Sequence, residues 1–381
     1  MSQSTLRLAT RGSALALRQA SEVQSALETR RRAVELVEVE TRGDQLRDEL
    51  IHRLGKTGAF VRALDEQVLS GDVDAAVHSM KDMPTEFPED LVVAGVPERA
   101  RAGDVLVTPG GRSLDELPSG ATVGTSSLRR KAQLLAERPD LDVQPLRGNV
   151  DTRAEKLLAP SVQDEHERRI DAEESAERSS ADQSSGDEPR DGESEESFER
   201  STDEWFNDLS EVQRRALERD VDTEYDAIVL AEAGLTRSGL AHSLEYERLP
   251  PTTFVPAPGQ GALAVTAVDG DLAERIHEAI DHPPTRVRTT AERTVLAELN
   301  GGCVAPIGVH ARLQGAHVNV SVRVLSRDGS EEVTATRDLP VERHATAARE
   351  FAADLRERGA ADLIEQARVE EAEDREAKRE E

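Results

Sequence analysis

Up to Pro250, short apolar runs alternate with segments of helical period, and that alternation admits few folds. Residues 6–9, 34–39, 75–78 and 91–96 read as strands. Between them, residues 14–29 carry Leu15, Ala16, Ala20, Val23 and Leu27 at near-helical spacing, with Ser13 placed to cap the helix. Residues 59–70 do the same with Phe60, Ala63, Leu64 and Val68. A β-α-β-α-β order predicts a mostly parallel sheet covered by helices. The pattern resumes with strands at 105–107, 122–124, 143–146 and 225–230, and with helices opening after Thr125, after Asn149 and near Glu232.

Beyond Pro250-Pro251 the pattern changes. The proline-rich run Phe254-Val255-Pro256 leads into Pro258-Gly259-Gln260-Gly261 and a strand at 262–266, as expected of a crossing back to the first unit. A helix at 285–299 then precedes strands at 309–313, 318–326 and 331–339, where Asp328-Gly329 signals a hairpin, and a closing helix at 341–358. The expected fold class is therefore α/β: two α/β domains plus a smaller α+β domain with a three-stranded antiparallel sheet. Its expected domains are 1–98 with 253–281, then 99–252, then 282–367, followed by a charged tail at 368–381 that has no apolar face. Residues 160–222 interrupt the second domain. Their middle, 167–202, is Ser, Asp, Glu, Arg and Gly with little to bury and is predicted to be disordered, while Trp205, Phe206 and Leu209 suit a short helix.

Charge narrows the function. Asp and Glu number 76 against 48 Lys and Arg, a formal charge of −28, and such a field repels nucleic acid and anionic membranes. The only lysines are Lys56, Lys81, Lys131, Lys156 and Lys378, and aromatics make up 2%. An acidic, lysine-poor chain of this kind is expected from a halophile, where salt screens self-repulsion. No apolar run is long enough for a membrane span and no basic, apolar leader precedes the first strand, so a soluble cytoplasmic protein is expected. A single cysteine, Cys303, excludes an internal disulfide and a multi-thiolate zinc site, and no metal is expected.

The chemistry concentrates at strand ends. Val77-His78-Ser79-Met80-Lys81-Asp82-Met83-Pro84 places an imidazole, a hydroxyl, an ammonium and a carboxylate on one turn after an apolar strand. In open α/β sheets, ligands bind at such carboxy ends; the plainer reading is a capped turn with a core histidine and a solvated lysine. Thr10-Arg11-Gly12-Ser13, Thr125-Ser126-Ser127-Leu128-Arg129-Arg130 and Arg147-Gly148-Asn149 each join a strand end to a helix start. Helix N-termini with arginine make anion sites, although arginine is also this chain's default cation. Cys303, between Gly301-Gly302 and Pro306, is either a small buried hydrophobe or an exposed nucleophile or covalent anchor.

Together with Leu146-Arg147-Gly148-Asn149-Val150, Gly259-Gln260-Gly261-Ala262 and Gly301-Gly302-Cys303, these motifs make the chain similar to the porphobilinogen deaminase (hydroxymethylbilane synthase) family, in the family's order and outside only the insertion and the tail. The resemblance implies two domains like the halves of type II periplasmic binding proteins and a third bearing a covalent dipyrromethane cofactor on its cysteine, here Cys303. It implies a transferase of tetrapyrrole and heme biosynthesis that joins four porphobilinogen units head to tail, loses ammonia each time and releases hydroxymethylbilane by hydrolysis. Porphobilinogen is then the small-molecule partner, and a monomer is implied. Asp82 matches the family's carboxylate that stabilises the cation left by ammonia. Arg11, Ser13, Lys81, Arg129, Arg130, Arg147, Arg153 and Arg237 match positions that hold side-chain carboxylates of cofactor or substrate, as do Thr125, Ser126 and Gln260. One departure stands out: Gly55-Lys56-Thr57-Gly58 replaces the family's Gly-Gly-Lys-Gly and displaces Lys56 by one position. The rival reading is a non-catalytic anion-binding protein on the same two-lobed scaffold; it leaves Cys303 and Asp82 without a role.

Overall fold

The computed structural model of the chain describes residues 4–30, 32–39, 57–85, 88–183, 198–300 and 305–380. In the first unit β1 (Ser4–Thr10) leads through α1 (Ala14–Leu27), β2 (Arg32–Glu38), α2 (Thr57–Ser70) and β3 (Ala75–Ser79) to β4 (Leu91–Gly95). In the second, β5 (Asp104–Val107), β6 (Thr122–Gly124), α3 (Leu128–Glu137), β7 (Asp142–Gln144), α4 (Val150–Gln183), α5 (Thr202–Asp208) and α6 (Glu211–Leu217) precede β8 (Ala227–Ala231), α7 (Glu232–Ser238) and β9 (Tyr246–Arg248). The chain then returns as β10 (Leu263–Val268) and α8 (Asp271–Ile280). A last unit holds α9 (Pro283–Glu298), β11 (Ile307–Gln314), β12 (His317–Leu325), β13 (Glu332–Pro340), α10 (His344–Leu355) and α11 (Ala361–Glu380).

The strand orders are β2-β1-β3-β10-β4, β7-β6-β8-β5-β9 and β11-β12-β13. Each five-stranded sheet is mostly parallel, with four strands running one way and a single strand reversed. Strand β1 pairs in parallel with β2 and β3, whereas β10 runs against both β3 and β4. In the second sheet β5 likewise runs against β8 and β9. The reason is the double crossing: each unit receives one strand from the far side, and that strand enters in reverse. With few aromatics the cores are built from Val, Leu, Ile and Ala. Ala20, Val23 and Leu27 of α1 pack with Ile276 of α8 on one face of the first sheet, and Leu64 and Val68 of α2 on the other. In β12, Val318, Val320, Val322 and Val324 all face one core beneath Phe351, the period-two pattern of a sheet with one covered face.

One expectation fails. Helix α4 runs on to Gln183 and α5 follows a few residues after Phe198, so residues 167–183 and 198–202 are ordered; 184–197 lie outside the described residues. Composition missed the local pairing. Glu165 meets Arg168 at 2.6 Å and Arg169 at 2.8 Å, and the Arg169 guanidinium covers the rings of Phe198 at 4.2 Å and Trp205 at 5.3 Å. Residues 368–380 continue α11 beyond its buried Leu363, Ile364 and Ala367; Val369 is exposed there, and Asp374 pairs with Arg327 at 2.7 Å. Gly359, at φ 100°, separates α11 from α10. Strand β9 and helix α8 were not foreseen.

Glu292 of α9, 0% exposed in its side chain, ties the three units together. Its carboxylate accepts from Arg99 on the first crossing at 2.7 and 3.0 Å, from the Gly259 N–H on the second at 2.7 Å, and from the Ala311 N–H of β11 at 2.8 Å. Burial, the largest single influence, would raise this carboxyl, but Arg99 and His310 together more than offset it and hold it at about 2. A glutamate in an unfolded chain titrates at about 4.3. Its stabilisation is thus complete above that pH and lost as pH falls toward 2. Glu292→Gln leaves a buried guanidinium without its counter-charge, a change that costs about 3–5 kcal/mol. Denaturant unfolding at pH 7 should show that loss, with a shallower acid dependence in the variant; an unchanged midpoint would contradict the assigned role.

Candidate active site

At the end of β3 the chain tightens into a 3-10 turn, Met80–Asp82, capped by the Met83 N–H donating to the Met80 carbonyl at 3.2 Å. Met83 then takes extended angles, φ −76° and ψ 140°, as a residue before proline must. The Met80 N–H is held by the Ala262 carbonyl at 3.0 Å. Gly259, at φ 73°, lies so close that a Cβ there would meet Met80 Cγ at 2.9 Å, so only glycine lets the second crossing pack against this turn. From the opposite side Arg293 of α9 donates to the Met80 and Met83 carbonyls at 3.2 Å each, and to that of Pro84. The turn is therefore fixed by backbone bonds that leave the side chains of Lys81 and Asp82 for other work.

Those two side chains line a cavity of about 470 Å3 between the first two sheets. Arg11, Ser13, Lys81, Asp82, Arg130, Arg153, Arg237 and Gln260 all contribute to its wall, with Thr10, Gln19 and His78. Ser13 caps α1, accepting from the Ala16 N–H at 3.3 Å, which places this helix N-terminus at the cavity. Lys81 is open to the cavity's water yet surrounded by protein, and this desolvation lowers its pKa below the usual lysine range; Asp82 opposes the shift and Arg130 adds to it. Burial likewise brings Arg153 down to about 10, with Arg130 adding to the shift. Further cations bound close together in this way favour an incoming anion.

Thr125, Ser126, Arg129 and Arg147 are not brought to the cavity wall. Thr125 accepts from the Ser127 N–H at 3.2 Å and Ser126 donates to the Leu146 carbonyl at 2.6 Å, so both shape the start of α3. Arg147 is exposed. Arg129 is buried, bonded to the Val255 carbonyl at 2.8 Å and paired with Asp104 at 2.8 Å. Asp104 is the residue that sequence reasoning missed. It also accepts from Arg130 at 2.8 and 3.0 Å and from the Gln260 side-chain amide at 2.9 Å. Burial would raise its carboxyl, but Arg129 and Arg130 together hold it at about 2. An acid just before the apolar run Val105-Leu106-Val107 was the available signal. His78, 4% exposed, combines both readings given to it: it touches the cavity, and its Nε2 lies 2.9 Å from Asp65 and 3.0 Å from Thr266. Cys303 and Lys56 lie outside the described residues; Asn300, just before the cysteine loop, closes α9 at φ 52°.

A family model described as "Porphobilinogen deaminase, dipyromethane cofactor binding domain" matches residues 6–167 and 210–275, skipping the insertion. A second, "Porphobilinogen deaminase, C-terminal domain", matches residues 287–357. A probable porphobilinogen deaminase of Halobacterium salinarum is 57% identical over 97% of this chain and 100% of its own. The porphobilinogen deaminase of Desulforudis audaxviator is 37% identical over 94% of this chain and 97% of its own. Among solved structures, the apo ectoine-binding protein TeaA of a TRAP transporter aligns at TM-score 0.34 and 11% identity, over 96% of this chain and 98% of that one, a likeness too slight to argue from.

Proposed function

From the premise that the chain belongs to the porphobilinogen deaminase family, we propose that the cavity between its first two sheets is where porphobilinogen units are joined. The protein is a transferase of porphyrin biosynthesis, with a domain that binds a dipyrromethane cofactor. The observation that carries the site assignment is charge. In a chain of net −28, the cavity wall presents Arg11, Lys81, Arg130, Arg153 and Arg237 against one acid, Asp82, among the described residues.

That donor set fits the cofactor. Porphobilinogen carries an acetate and a propionate, so two linked units bring four carboxylates, and the wall offers the cations to meet them. Arg11, Lys81, Arg130, Arg153 and Arg237, with Ser13 at the α1 N-terminus, would hold carboxylates of the cofactor and the growing chain. Arg129, Thr125, Ser126 and the Gln260 amide act from behind, fixing the loops and the Asp104 network that orient Arg130. Arg147, exposed at the start of α4, meets the incoming substrate. When bound through Cys303, the dipyrromethane supplies the pyrrole carbon to which the first unit is joined. Asp82 faces the cation left as ammonia departs; a carboxylate already fixed in place stabilises that charge more than solvent that must reorganise around it.

Residues 1–98 with 253–281 form the Asp82 domain, 99–252 the arginine-rich domain, and 282–367 the cofactor-bearing domain. The acidic, lysine-poor composition supports work in high salt, and the family resemblance a cytoplasmic monomer. No helix of the described residues is long and apolar enough to cross a membrane. An anion-binding protein without catalysis is not favoured, since it assigns nothing to Asp82 or Cys303. Incubation with porphobilinogen tests the reading: one ammonia should appear per porphobilinogen consumed, and one linear tetrapyrrole per four. Binding without ammonia release would overturn it.

A further inference from the structure

On one rim of the cavity, α1 of the first unit meets α7 of the second. Arg18 donates to the Ser238 carbonyl and reaches that of Arg237 at 3.5 Å, covering the carbonyl end of α7, where a cation is favoured. One turn further along α1, the two Glu22 oxygens stand 3.2 and 3.3 Å from Arg237 Nε. The Arg237 side chain is 9% exposed and that of Glu22 52%, so a nearly buried cation faces a solvent-accessible acid. Among the described residues Glu22 is the one acidic partner of Arg237, and no other bond to the Arg237 guanidinium is present. Its two terminal nitrogens have no protein acceptor among the described residues while Arg237 lines the cavity, and a carboxylate that takes the guanidinium side-on, through Nε and one of them, has to displace Glu22.

We infer that Glu22 is an internal stand-in for substrate: it occupies Arg237 until an acetate or propionate of a pyrrole unit displaces it. One carboxylate exchanges for another, so Arg237 keeps a counter-charge throughout. Displacing Glu22 removes one of the two links between α1 and α7, while Arg18 keeps the rim attached. Loading of the cavity is thereby coupled to loosening of its rim, and Glu22 sets how tightly a pyrrole carboxylate is held. The inference rests on the deaminase reading and adds to it a residue that governs affinity.

A competitor and a support for Arg237 differ in sign. If Glu22 merely positions Arg237, its removal weakens binding; if it competes, removal strengthens binding. Calorimetric titration of the holoenzyme with a pyrrole bearing acetate and propionate but no aminomethyl group reads this without turnover. Glu22→Gln and Glu22→Ala should each bind about two- to five-fold more tightly than the parent, the worth of a partly exposed ion pair. The KM for porphobilinogen should fall by the same factor, with kcat within about two-fold of the parent's. Equal or weaker binding by both variants, or no binding by any of the proteins, overturns the inference. A parent that binds the pyrrole, with the variants tighter, but releases no ammonia from porphobilinogen would sink the deaminase reading and leave Glu22 as the competitor at a pyrrole-carboxylate site.

Discussion

Asp82→Asn is expected to lower turnover by about 10²–10³-fold, the usual worth of a charge fixed opposite one that develops in the transition state. The substitution keeps size and shape, and the turn does not depend on the side chain: its bonds run through the Met80, Met83 and Pro84 backbone, to Ala262 and Arg293. The thermal midpoint should therefore stay near the parent's while chemistry fails. The loss should appear in kcat and kcat/KM together, since an interaction made only in the transition state is removed. Turnover within a few-fold of the parent would take Asp82 out of the role given to it. A variant that fails to fold would instead show that the carboxylate holds the turn, contrary to the hydrogen-bond pattern.

What the sequence showed of the fold was what local chemistry decides. The Ser13 cap, the Asp328-Gly329 turn between β12 and β13, the break before Pro84 and the arginines at helix starts all depend on residues within a few positions of one another. The direction of β5 and β10 does not. It follows from which unit a strand joins after a crossing, and no stretch of the strand itself records it. The far half of α4 was hidden for the opposite reason: averaged composition blurs the pairs Glu165–Arg168 and Glu165–Arg169 that support it locally.

The site was legible in its cations and illegible in their partners. Arg129 and Arg130 are adjacent in sequence and were given one role, yet α3 turns Arg129 toward the Val255 carbonyl and leaves Arg130 on the cavity wall. Their shared partner Asp104, upstream of both, could not be read from the pair itself, although its buried carboxylate binds each. In the same way Arg237 was matched to a position that holds a carboxylate of cofactor or substrate, and Glu22 on another unit pairs with it.

Cys303→Ala is expected to abolish product formation altogether. A thioether to a pyrrole methylene needs a sulfur nucleophile, and no other thiol exists in the chain. Without the anchored group, the cations of the cavity wall also lose the carboxylates that offset their mutual repulsion. The variant should then fold yet melt below the parent, and added salt should narrow the gap by screening that repulsion. A variant that melts with the parent would mean that the anchored group contributes nothing to holding the lobes.

Intact-mass spectrometry reads the central claim, stepwise assembly on a group held by Cys303, in one experiment. The parent should be heavier than its sequence by a two-pyrrole adduct, and brief exposure to porphobilinogen should add further equal increments, up to four. Cys303→Ala should sit at its sequence mass before and after that exposure. A parent found at its bare sequence mass while still converting porphobilinogen to tetrapyrrole would contradict the account.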